Sequence, residues 1–160
     1  MADDLTHFDD TGRARMVDVS GKGSSARRAA ARGRVLFQPG SYEVVRKGGL
    51  AKGDVAKVAE LAGIMGAKKT SDLIPLCHPL PLTSVSVRVE PDDEACAYVV
   101  TSEVKTTGKT GVEMEALTAV MVACLTVYDM AKAVDKSIVI EDVYLIEKSG
   151  GVSGPFSRHG

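Results

Sequence analysis

The chain has 160 residues, with 20 basic and 21 acidic side chains and a net charge of −1, which gives no general drive toward nucleic acid or an anionic membrane. That length suffices for one domain with a substantial core; with three Phe, four Tyr and no Trp, the core must come from Val, Leu, Ile, Ala and Met. Cys77, Cys96 and Cys124 are odd in number, widely spaced and without a CxxC pair, and there are only three histidines, a pattern that argues against a disulfide framework or a metal site and for reduced thiols in a cytoplasmic protein.

No uninterrupted apolar run approaches the roughly 18 residues of a membrane span, and the acidic opening MADDLTHFDD lacks the regions of a signal peptide. Residues 1–22 read as an extended arm with a short strand-like MVDV at Met16–Val19. From Arg13 to Arg34 there are seven basic residues against one acid, Asp18. Within that stretch ARRAAAR is expected as a short helix capped by Ser24 or Ser25 and closed by Gly33. Residues 1–33 are thus expected as a flexible basic arm. It is either solvated, or one or two arginines reach a phosphate; a nucleic-acid arm ranks third, since no aromatic side chains interleave with the charges.

Arg34–Gln38 predicts a first strand, ended by the turn pair Pro39-Gly40. Asp54 is a good N-cap for the helix VAKVAELAGIMGAKK, with Val55, Val58, Ala59, Ala62 and Met65 as its apolar stripe. Lys52, just before that helix, is either an anion-binding group at a helix N-terminus or an ordinary loop lysine. Lys68 and Lys69 close the helix as cations suited to its C-terminal dipole. Asp72–Leu82 holds three X-Pro pairs in eleven residues, which forbids regular structure; its apolar character predicts a rigid, largely buried loop. His78, at its centre, is either a hydrogen-bonded structural residue or a positioned site residue.

Val85–Glu90 and Ala95–Lys105 alternate with period two and form a hairpin. Gly108-Lys109-Thr110 resembles the end of a P-loop, but Glu103 stands where its first glycine belongs, which rejects that motif. Lys109–Lys136 is the longest helical pattern, without a charge in the thirteen residues between Glu115 and Asp129. A helix apolar nearly all round is buried. Ser137–Ile146 predicts a last strand, and residues 148–160 a flexible Gly-rich tail. The order strand-helix-strand-strand-helix-strand predicts one α+β domain over residues 1–160. Its fold is ferredoxin-like βαββαβ, a four-stranded antiparallel sheet with two main helices on one face.

At 100° per residue, Glu115 and Asp129 lie about 40° apart around the long helix, and at 1.5 Å per residue about 21 Å apart along it. One small-substrate site cannot use both ends of a single copy. If both ends are functional, the start of one helix must meet the end of another chain's, which predicts a symmetric homo-oligomer with interface sites.

The runs MVDVS (16–20), KGDV (52–55), AGIMGAKKTSDLIPLCHPLPL (62–82), KTGVEMEALTAV (109–120) and LTVYDMAKAVDK (125–136) resemble the MoaC family, the cyclic pyranopterin monophosphate synthases of molybdenum cofactor biosynthesis. The resemblance covers Leu5–Gly154. It implies a ferredoxin-like fold and a homohexamer, a trimer of dimers. It also implies a lyase reaction on 3′,8-cyclo-7,8-dihydroguanosine 5′-triphosphate that yields cyclic pyranopterin monophosphate and diphosphate, with no metal or other cofactor. By motif, the catalytic residues fall on Asp129, Lys132 and Lys52, and the substrate-binding residues on Leu76, Cys77 and His78 and on Met114 and Glu115, with Glu113 beside them. The phosphate-contacting arginine falls on Arg27, with Arg28 adjacent. Val152 departs from a lysine common in relatives. Lys68 or Lys69 would add countercharge to the triphosphate. Lys52 and Lys132 are expected as acid–base groups whose pKa is lowered by neighbouring cations, with Asp129 orienting Lys132. Two rival readings remain: a non-catalytic nucleotide-binding module, and an RNA-binding sheet, which lacks paired aromatics because Tyr98 and Tyr144 are isolated.

Overall fold

A computed structural model describes residues 7–48 and 50–159. The first six residues of the expected arm and the last residue of the expected tail thus lie outside the described residues. Strands β1 (Ser25–Leu36), β2 (Leu82–Asp92), β3 (Ala97–Gly108) and β4 (Val139–Ser149), with a short β5 (Phe156–Ser157), form one antiparallel sheet in the order β2-β3-β1-β4-β5. Helices α1 (Pro39–Arg46), α2 (Val55–Lys68), α3 (Thr70–Leu73) and α4 (Glu113–Ala131) complete the chain. Helices α2 and α4 pack on each other and on one face of the sheet. The first four strands and these two helices make the expected ferredoxin-like arrangement, extended by β5.

Several local expectations are corrected. ARRAAAR is not a helix: it lies in β1, which starts at Ser25 and not at Arg34, so the arm ends well before residue 33. Ala29, Ala31 and Val35 are fully buried toward the helices, with Gly33 in the same register. A Cβ on Gly33 would stand 2.6 Å from Val120 Cγ1 and 3.3 Å from Cys124 Sγ. Small residues are needed here because α4 lies close against the strand, and that contact overrides alanine's intrinsic helix propensity. The arginines alternate to the open face, where Arg28 pairs with Glu103 and Glu147, and Arg34 with Glu141.

Pro39 opens α1 where a turn was expected, since proline suits a first helical position. The tail is not free of structure either: β4 runs to Ser149, and Phe156–Ser157 pairs with Lys148 and Glu147. On α2, Asp54 caps Ala56 and Lys57 as expected, but Val58 and Met65 face outward. The packed face is instead Val55, Ala59, Gly63, Gly66 and Ala67. A Cβ on Gly66 would stand 2.7 Å from Val122 Cγ2, so the glycines set the close α2–α4 approach. The proline-rich segment is not largely buried: Asp72, Leu73 and its three prolines are exposed and the residues between them half-buried, and it begins in α3 and ends in β2.

Helix α4 is shorter than Lys109–Lys136, yet its 19 residues are long and apolar enough to meet the length and composition of a membrane span, contrary to the expectation from uninterrupted runs. Here it is sandwiched between the sheet and α2, with Ala116, Ala119, Val120, Ala123, Cys124 and Val127 fully buried. Met121 and Leu125 remain exposed on its outer side.

Candidate active site

The expected site residues fall into two groups, one at each end of α4. At the C-terminal end, Lys132 Nζ donates to Asp129 Oδ1 at 2.6 Å and Lys52 Nζ to Asp129 Oδ2 at 3.2 Å. Lys52 reaches the helix because Gly53, at φ +99°, turns the chain sharply before α2. The two ammonium groups hold the Asp129 carboxyl below its ordinary pKa, Lys132 contributing most. Asp129 in turn holds Lys132 above the ordinary lysine value. The expected lowering of Lys132 is therefore corrected within this chain: its nearest partner is an anion, which favours the charged amine.

At the N-terminal end, Leu76, Cys77 and His78 from the proline-rich loop meet Glu113, Met114 and Glu115 from the first turn of α4 around a cleft of about 390 Å³. This is a size suited to a small organic ligand. Val112, the N-cap residue of α4, gives no side-chain cap, and the Glu115 backbone N–H is engaged by its own carboxylate. Glu115 is 4% exposed. Burial, reinforced by Glu113 and opposed by its own backbone N–H, raises its pKa to about 7. The Cys77 thiol is pushed up by burial and by Glu115. A Cβ on Gly111 would overlap Glu113 Oε2 at 2.0 Å, so that glycine lets the Glu113 carboxylate fold back over the helix start.

A second cleft of about 380 Å³ shares Lys22, Thr110, Gly111 and Glu113 with the first. Its charge comes from Lys22, Arg27, Lys109 and Lys148 against the single carboxylate of Glu113, which Lys148 Nζ meets at 2.9 Å. Arg27 projects here and donates to Gly108 O at 3.3 Å, whereas Arg28 is held on the open sheet face by its two glutamates. The tail closes over Arg27 through Gly150 and Gly151, at φ +90° and +87°. Val152, the departure noted above, lines this cleft beside Ser153. Lys68 and Lys69 border neither cleft, and Lys69 faces Asp72 at 3.6 Å. Sequence reasoning thus passed over Lys22, Lys109 and Lys148. Lys109 was visible beside a helix start, but only the fold brings Lys22 and Lys148 to it. Among the described residues, no group of three His, Cys, Asp or Glu side chains stands together as metal ligands would.

A model of the MoaC family matches residues 16–151. The chain belongs to the MoaC family. It is 61% identical over 156 residues to the cyclic pyranopterin monophosphate synthase of Heliobacterium modesticaldum, covering 98% of each chain. The protein of that name from Thermomicrobium roseum is 56% identical, over 97% of this chain and 93% of its own. That from Listeria monocytogenes is also 56% identical, over 96% of each. The MoaC match spans both ends of α4, so each of the two residue groups lies within the family's shared region.

Proposed function

We propose that this chain is a cyclic pyranopterin monophosphate synthase, a lyase of molybdenum cofactor biosynthesis. It converts 3′,8-cyclo-7,8-dihydroguanosine 5′-triphosphate to cyclic pyranopterin monophosphate and releases diphosphate. The observation that carries this reading is near full-length identity of 56–61% to synthases of that name. The geometry fits it: a cation-rich cleft suited to a triphosphate opens beside an acid-lined cleft suited to a purine-derived ring.

In this reading Arg27, Lys22, Lys109 and Lys148 neutralise the triphosphate as its charge shifts toward the leaving diphosphate. A ribose hydroxyl attacks the α-phosphorus, the bond to the β-phosphate oxygen breaks, and diphosphate departs. Glu113, Met114 and Glu115 hold the base, and Glu115, poised near neutrality, can donate or accept a hydrogen bond to it. His78 binds or exchanges a proton at the ring or ribose. Lys132, kept charged by Asp129, is the proton donor, and Lys52 serves the same site as a second acid–base group. Asp129 orients both amines.

Because Glu115 and Asp129 stand about 21 Å apart along α4, the two groups serve one substrate only if a second chain supplies the far end. The uncovered Leu61 and Met65 of α2, 60% and 59% exposed, with Met121 and Leu125 of α4, support such an assembly. The proposed assembly is a homohexamer, a trimer of dimers, in the cytoplasm. Incubation with the cyclised GTP derivative should release diphosphate and form a pterin that turns fluorescent on oxidation. Tight binding without diphosphate release would mark a non-catalytic module and overturn the proposal.

A further inference from the structure

Residues 16–22 form an extended ribbon between a small hairpin and β1. The hairpin is set by Asp9, whose carboxylate accepts from the Thr11 and Arg13 backbone N–H groups, and by the Phe8–Ala14 bridge. Along the ribbon, side chains alternate. Met16, Asp18 and Ser20 face solvent, while Val17 and Val19 turn inward and line the acid-rich cleft. A turn fixes its far end, with Ser20 N donating to Asp18 Oδ1 at 2.8 Å and Lys22 N to Val19 O at 3.0 Å. Two site residues latch its backbone: His78 Nε2 stands 2.7 Å from Val17 O, and Lys109 Nζ donates to Ser20 O at 3.1 Å. A carbonyl oxygen can only accept. The His78 nitrogen facing it must carry a proton, so in the neutral ring Nδ1 is the acceptor.

We propose that Met16–Lys22 is a positioning strap. It walls the substrate cleft with Val17 and Val19 and, through the Val17 carbonyl, fixes His78 with Nε2 protonated and Nδ1 as its proton-accepting nitrogen. The inference rests on reading this cleft as the substrate site. It assigns to a backbone carbonyl the orienting role that a carboxylate often fills for an active-site histidine. The Val17 and Val19 side chains close the cleft, while the latch on His78 is made by the main chain.

Hydrogen exchange and nitrogen NMR of the full-length protein test the strap without substrate, and turnover tests its consequence. Wild-type His78 should show a single neutral tautomer with Nε2 protonated, assigned by loss of its signals in His78→Gln. In His78→Ala the amides of Ser20 and Lys22, which donate to Asp18 Oδ1 and Val19 O within the strap, should exchange roughly tenfold faster, as loss of one hydrogen bond holding the strap implies. His78→Gln, whose amide can still donate to Val17 O, should keep the strap protected while turnover falls. The double variant V17G/V19G should keep its circular dichroism and lose kcat by roughly 10- to 100-fold with little change in KM, the signature of a misplaced group. A His78 protonated at Nδ1, unchanged strap exchange in His78→Ala, or wild-type kcat in V17G/V19G would each overturn the strap. Should V17G/V19G not fold, the exchange and tautomer results still decide. Absence of diphosphate release by the wild type would defeat the functional reading alone, since the exchange and tautomer results do not depend on it.

Discussion

Replacing Gly151 by alanine probes how the tail shapes the cation-rich cleft proposed to hold the triphosphate. Gly151 sits at φ +87°, and a Cβ there would stand 2.0 Å from Arg27 Nη1. Two costs follow. An L-residue in a sparsely populated backbone region costs roughly 1–3 kcal/mol, which for a domain of this size lowers Tm by roughly 3–10 °C. The Arg27 head group must also swing out of the cleft, because the new methyl occupies its place. Loss of a charge-assisted hydrogen bond to phosphate costs roughly 1.5–3 kcal/mol, or about 10- to 100-fold in affinity. G151A should therefore melt several degrees lower, bind diphosphate more weakly by calorimetry, raise KM and lower kcat, since Arg27 meets charge that grows toward the leaving diphosphate. Gly23 lies outside the left-handed backbone region and a Cβ there would have nothing within 4 Å, so G23A is the matched control and should behave as wild type. Gly150 is harsher, since its Cβ would meet the Ala26 carbonyl at 2.1 Å, and backbone cannot swing aside as a side chain can. G151A with wild-type Tm and KM would refute both the strain argument and the placement of Arg27.

Three further outcomes are expected. Lys132→Ala, altering an exposed side chain, should change stability by less than about 0.5 kcal/mol while diphosphate release falls by roughly 10²–10⁴-fold, read by denaturant melts and turnover. Glu115→Gln should alter the pH dependence of stability. Burial pushes the folded carboxyl up to about 7 from the ordinary 4.5, so between those values the folded state holds more protons than the unfolded state, and stability falls as pH rises. The variant lacks that loss, so its advantage should grow from pH 5 to pH 8 toward about 3 kcal/mol; a constant wild-type-to-variant difference across that range counts against the assignment. Gly66→Ala, which forces a methyl to 2.7 Å from Val122 Cγ2, should destabilise the α2–α4 packing by about 1–3 kcal/mol in urea unfolding, with no direct effect on either cleft.

What could be read from residue order alone was what local physics decides. The Asp54 cap, the period-two hairpin strands and the charge-free run of α4 each depend on near neighbours, and each places its element. Helix rise alone put Glu115 and Asp129 about 21 Å apart, too far for one small-substrate site to use both ends of a single helix. The familiar motifs then pointed to Lys52, Asp129 and Lys132, which the fold joins by hydrogen bonds. Only tertiary structure decided the rest. ARRAAAR is helical by propensity and becomes part of the central strand, where Ala29 and Ala31 are buried beneath the helices and Gly33, just after it, leaves no room for even a Cβ beside Val120. Arg27 and Arg28 are adjacent in the chain, but strand alternation sends one to the cation-rich cleft and the other to the glutamates of the open face. Lys22 and Lys148 stand 126 positions apart in sequence and border one cleft only because antiparallel pairing brings the end of β4 beside the start of β1. Contacts of that range depend on the packing of the whole chain, and no local pattern carries them.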